Sequence, residues 1–292
     1  MPSLAAVVRR ARSLAGRLRH GARPVPPPIG PPPGAEPGDG GVDVLFLHHS
    51  TGESVWRGGV PEWFDAYNAA HGTTYRIVEH AYPHAPYPWR NDPADYCRLW
   101  MPDGQPATSA VDGQETLADL TRHFDVIVLK TCFTGSDLVV DDPVDDPVDE
   151  GTRDGDAASM RKAPANYRAC LRALREAFHA YPQTRFVVWT IPPRVAAETT
   201  PDAARLAAQV TDWMRQDWDI AGDNVFLWDY RALAMEGAKG DMPGPLYAVH
   251  DKDSHPSPGF ATRVAPLLGQ RIVDVIEGRG DTAPRTGILT SP

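Results

Sequence analysis

Five short apolar runs recur along the chain at strand length. They are "VDVLFLHH" from Val42, "YRIVEHA" from Tyr75, "DVIVLKT" from Asp125, "RFVVWTIPP" from Arg185 and "NVFLWDY" from Asn224. Each is enriched in β-branched or aromatic residues, and each ends in polar or turn-forming ones. Elsewhere the apolar positions change to a period near 3.6. In "PANYRACLRALREAFHAYP", Tyr167, Cys170, Leu171, Leu174, Phe178 and Tyr181 share one face, with Pro164 suited to the first turn and Pro182 beyond the end. Near the C-terminus Phe260, Val264, Leu267, Leu268, Ile272 and Val275 form a second stripe, with a kink expected at Pro266. Near-continuous apolar strands alternating with helices predict an α/β fold, a three-layer α/β/α sandwich with a five-stranded, mainly parallel sheet.

Two insertions break the alternation. Residues 82–115 are rich in proline and aromatics, which predicts a long ordered loop over one end of the sheet. Residues 141–156, "DDPVDDPVDEGTRDGD", form an acidic repeat. Pro143, Pro147 and the absence of a spaced ligand loop favour a solvated segment over a calcium site. Before the first strand, residues 24–37 hold eight prolines, which remove amide donors and favour extended backbone. The expected organisation is a basic, proline-rich, disordered arm over 1–42, one domain over 43–278 and a flexible tail over 279–292.

Charge narrows the function. The net charge is −9, yet residues 1–42 carry six arginines against Glu36 and Asp39, leaving −13 for the rest. An acidic body repels a phosphate backbone, so nucleic acid is not an expected partner. No segment reaches the length of a membrane span, and peripheral membrane contact through the basic arm is the weaker alternative to a solvated tail. Cys97, Cys132 and Cys170 are odd in number and widely spaced, without a CxxC pair, so neither a zinc site nor a disulfide framework is expected. A reducing, cytoplasmic setting follows from that reading.

In an open parallel sheet, ligands bind outside the carboxyl ends of the strands. The first strand ends in His48, His49, Ser50 and Thr51, and the third in Lys130, Thr131 and Cys132 followed by "FTGSD". "HDKDSHPSPG" brings His250, Asp251, Asp253 and His255 just before the last helix. A serine at a strand tip needs a base, and a histidine held by a carboxylate is one. Ser50, His255 and Asp253 or Asp251 meet that requirement. Asp253, two residues from the histidine, is favoured, because Asp251 would need a helical turn that the approach to Pro256 disfavours.

This order resembles the SGNH (GDSL-like) hydrolases over roughly residues 43–278, most specifically in "DSHPSPG". The resemblance implies a flavodoxin-like fold and serine-dependent hydrolysis, or transfer, of an acyl ester on a small-molecule or acylated substrate, with no cofactor and no metal. "HHS" stands where the family has Gly-Asp-Ser, which makes Ser50 the nucleophile and His255 the base. The family's usual Asp position is Lys252 here, the oxyanion glycine is missing from "EHAYPHAPY", and Cys132 stands in place of the oxyanion asparagine. Lys130, Cys132, Thr134, Ser136 and His49 are the remaining oxyanion or substrate-contact candidates, alongside the Ser50 backbone amide. Two rivals stand beside this reading. One is a metal-dependent hydrolase using His48, His49, Asp253 and His255, although adjacent strand residues point to opposite faces. The other is a non-catalytic module binding a small metabolite. Cys132 as nucleophile would require a thiolate stabilised by Lys130. Trp56, Trp63, Trp89 and Trp100 are candidates either for a substrate pocket or, more simply, for core.

Overall fold

The computed structural model describes residues 28–36, 38–84, 89–140 and 155–288. Most of the basic arm, most of the acidic repeat and residues 289–292 lie outside them.

All five apolar runs are strands: β1 (Val42–His48), β2 (Tyr75–Ala81), β3 (Val126–Leu129), β4 (Arg185–Trp189) and β5 (Val225–Trp228). They pair in the order β2-β1-β3-β4-β5, every pair parallel. Strand alternation divides the core into two clusters. Leu45, Leu47, Ile127, Leu129, Phe186 and Val188 face one way, and Val44, Phe46, Val126, Val128, Val187 and Trp189 the other. Both faces must therefore be covered, which explains why these strands are apolar throughout. Each fully buried aliphatic or aromatic side chain contributes about 1.5–3 kcal/mol.

One face carries α1 (Ser50–Trp56), α2 (Val60–His71), α7 (Tyr230–Ala234) and α8 (Pro258–Ile276). Pro266 lies inside α8, and Gly269 lets that helix approach Trp63, whose ring would stand 2.2 Å from an added Cβ. The other face carries α3 (Pro93–Trp100), α4 (Leu117–Leu120), α5 (Pro164–His179) and α6 (Pro201–Trp213). Among the described residues no helix is long and apolar enough to cross a membrane.

Several expectations need correction. Residues 82–115 are more than a loop: Asp92 caps α3, its side chain accepting from the Ala94 amide, and Pro93 occupies the first turn. Tyr96, Cys97, Leu99 and Trp100 then pack into the core. Trp89 and Trp100 are core residues, and Trp56 and Trp63 pack against the opposite cluster. Cys97 and Cys170 form a disulfide between α3 and α5, with α-carbons 5.9 Å apart, so the cysteines do not all stand alone. At the N-terminal end, Ile29 is 5% exposed and its amide donates to Glu115 Oε1 at 3.0 Å. Asp39 pairs with Arg76, so the packed chain begins well before Asp43. At the other end, Arg285 pairs with Asp219 and the Thr286 carbonyl accepts from Trp228 Nε1, so residues 279–288 pack along the body.

Candidate active site

The chain leaves β1 for β2 on one side and reaches β3 on the other, so the topological switch point lies between β1 and β3. Ser50 follows β1 and opens α1, and Cys132 follows β3 and precedes a 3₁₀ turn at Phe133–Ser136. Ser50 Oγ and Cys132 Sγ stand 3.5 Å apart across that gap. Cys132 is fixed by its own amide, which donates to the Asn91 carbonyl at 2.7 Å, and Asn91 holds a left-handed φ of 57°. The insertion thus anchors the residue that faces Ser50.

Beneath Ser50, Lys130 Nζ donates to Cys132 Sγ at 2.7 Å. Lys130 is 3% exposed and Cys132 2%. Burial, the largest single influence, pushes the thiol's pKa up, but the Lys130 charge and the hydrogen bonds from Lys130, Ser50 and the Thr51 amide together outweigh it and hold the thiol below its ordinary value. Burial pushes the ammonium's pKa down, opposed by the sulfur. Gly52 makes the arrangement possible: an added Cβ would lie 2.5 Å from His48 Cβ and 3.0 Å from Lys130 Cε.

His255 sits on the loop before α8. Its Nδ1 bonds Asp253 Oδ1 at 2.6 Å, and its backbone amide donates to the same oxygen at 2.9 Å. Both bonds hold the Asp253 carboxyl below its ordinary pKa. The Phe133 ring meets the His255 ring edge-on at 4.8 Å between centroids, which brings the histidine loop to the turn that carries Cys132. The loop is anchored by Ser254, fully buried, whose amide and hydroxyl both donate to Glu198 Oε2, at 3.0 and 2.5 Å. Tyr247 OH donates to the Ser254 carbonyl at 3.1 Å. With Nδ1 committed to Asp253, Nε2 is the ring nitrogen left to act as base. No hydrogen bond joins Ser50 to His255 among the described residues.

The other candidates are engaged elsewhere. Thr134 Oγ1 donates to the Arg90 carbonyl at 2.9 Å, and Ser136 Oγ to the Pro192 carbonyl. His49 Nε2 bonds the Pro83 carbonyl at 2.7 Å, and burial pushes its pKa down to about 4. His48 Nε2 bonds Glu79 Oε2 at 2.5 Å, and burial lowers its pKa against the pull of that carboxylate. His48 and His49 therefore diverge, and neither joins Asp253 and His255 in a ligand set. Among the described residues no group of three or more His, Cys, Asp or Glu side chains is placed to hold a metal ion. A cavity of about 270 Å³, lined by His48, His49, Ser50, Glu53, Glu79, His80 and Ala81, opens beside the serine.

Neither Glu79 nor Glu198 stands out in the sequence. For Glu79 the signal is indirect: β2 pairs Glu79 with Phe46, so its side chain shares a face with Phe46 and His48. For Glu198 there is none, because a 3₁₀ turn at Ala196–Glu198 delivers it from 56 residues away. The chain matches no protein-family model, no curated protein and no solved structure.

Proposed function

We propose that the protein is a serine hydrolase or acyltransferase acting on an ester or other O-acyl group, with Ser50 as nucleophile, His255 as base and Asp253 as its orienting carboxylate. The observation that carries the proposal is the Asp253–His255 hydrogen bond of 2.6 Å at the strand edge where Ser50 opens a helix. A carboxylate on Nδ1 sets the tautomer that leaves Nε2 basic and stabilises the imidazolium formed when the serine proton moves. Ser50 attacks the acyl carbon, and His255 takes its proton and returns it to the departing alkoxide. The acyl-enzyme then passes to water or another acceptor. The first amides of α1 have no intrahelical acceptor, so the Ser50 N–H is a backbone donor suited to the developing oxyanion. Substrate enters from the cavity beside His49 and Glu79.

A second reading is supported by the 3.5 Å contact of Ser50 with Cys132 in place of one with His255. On that reading the site binds a small metabolite without turnover. One experiment separates the two: a fluorophosphonate probe followed by peptide mapping. Labelling at Ser50, lost in Ser50→Ala together with short-chain ester hydrolysis, supports the hydrolase. A folded wild type that neither labels nor hydrolyses leaves the binding module. The Cys97–Cys170 disulfide supports an oxidising compartment over the cytoplasmic setting expected from unpaired cysteines.

A further inference from the structure

The pair beneath Ser50 has no part in the chemistry proposed above. Lys130 is buried without a carboxylate in salt-bridge reach among the described residues, and its ammonium faces the Cys132 sulfur at 2.7 Å. Gly52 lies against the lysine stem, where an added Cβ would stand 3.0 Å from Lys130 Cε. The other two cysteines bond each other, which leaves Cys132 as the free thiol with an amine, and no second thiol, against it. Ser50, which touches the sulfur, also lines the cavity of about 270 Å³.

We propose that Lys130 and Cys132 form an oxidative modification site, closing to a sulfenamide crosslink with a hydroperoxide, hydrogen peroxide in the simplest case, as oxidant. The thiolate attacks one peroxide oxygen; the S–O bond forms, the O–O bond breaks, and the departing hydroxide leaves as water with a proton from the ammonium. Sulfur loses two electrons and the peroxide gains them. The freed amine then attacks the sulfenic sulfur. The S–N bond forms, the S–O bond breaks, and the hydroxyl leaves as a second water with one amine proton. The thiolate, the ammonium and one peroxide thus become the sulfenamide and two waters. Condensation of a sulfenic acid with a nearby nitrogen is established chemistry, reversible by thiols. Burial, which lowers the lysine's pKa, favours release of the ammonium proton in the first step.

The test uses the full-length protein, purified without reductant and treated with hydrogen peroxide, and reads covalent mass, so it does not depend on the role of Ser50. The expected result is a loss of about 2 Da, for two hydrogens, in place of a gain of oxygen. The change should map to residues 130–132, block tryptic cleavage after Lys130 and be undone by dithiothreitol. In Lys130→Arg, which keeps the charge but lacks a nucleophilic amine, the peptide should gain about 32 Da as sulfinic acid. The proposal is overturned if the wild type gains oxygen or stays unchanged at peroxide levels that oxidise Cys132 in the denatured chain, or if Lys130→Arg also loses two hydrogens. Should Lys130→Arg not fold, the wild-type mass and peptide map decide the matter alone.

Discussion

Asp253 accepts two hydrogen bonds from His255, one from the ring and one from the backbone amide, whereas Asp251 makes none among the described residues. The i, i+2 spacing that suggested Asp253 is therefore also what the turn uses. Asp253→Asn should lower ester turnover by about 10²–10⁴-fold with the fold intact, because the amide favours the wrong imidazole tautomer. Asp251→Asn should change it less than twofold; steady-state kinetics on both variants checks the ranking. A second expectation concerns pH. The folded pKa of His49, about 4, lies below its ordinary 6.5, so the unfolded chain binds the proton first. The stability His49 contributes is full above about pH 6.5, is lost as pH falls toward 4, and levels off below that. Allowing for its partial exposure, it accounts for about 1–2 kcal/mol between pH 7 and pH 5. Urea denaturation at the two pH values should show that difference shrink in His49→Gln, with His48 and His80, also lowered by burial, supplying the remainder.

Among the elements, the strands and the long helices α5 and α8 were legible because their periodicity extends over many residues. The helix α3 was not, since Pro93 and the surrounding prolines read as loop although Asp92 and Pro93 are in fact its cap and first turn. Its tie to α5 through Cys97 and Cys170 was equally hidden: pairing depends on two α-carbons lying 5.9 Å apart, and a separation of 73 residues carries no trace of that. The disulfide closes a long loop, and Cys97→Ala/Cys170→Ala should lower unfolding free energy by about 2–4 kcal/mol. Equilibrium denaturation with and without reductant measures it; the double variant should be insensitive to reductant. Because α3 follows directly from Asn91, whose carbonyl holds the Cys132 amide, loosening this tie should also slow probe labelling of Ser50.

For the whole molecule, residues 28–36 belong to the body. Ile29 is buried in the same core cluster as the insertion's aromatic residues, and its amide bonds Glu115. Ile29→Ala should cost about 2–4 kcal/mol, the range for emptying a buried aliphatic site, read as a lower midpoint at unchanged slope in urea. An unchanged midpoint would return residues 28–36 to the role of a dispensable linker. The proline-rich composition concealed this packing because extended backbone suits a linker and a strap across a surface equally well.

The parallel α/β architecture, the positions of its five strands, the strand-end location of Ser50 and Cys132 and the place of Asp253 and His255 just before the last helix were legible in the sequence alone. Apolar periodicity and the two-residue spacing of Asp253 from His255 are local properties, which a linear pattern records directly. Which groups touch was decided only by the tertiary structure. Lys130 turns inward to a sulfur instead of outward to solvent, Thr134 and Ser136 spend their hydroxyls on carbonyls, and Glu198 holds the histidine loop from 56 residues away. Each of these depends on burial, since a buried polar group must find a partner and the nearest one is set by how the chain packs.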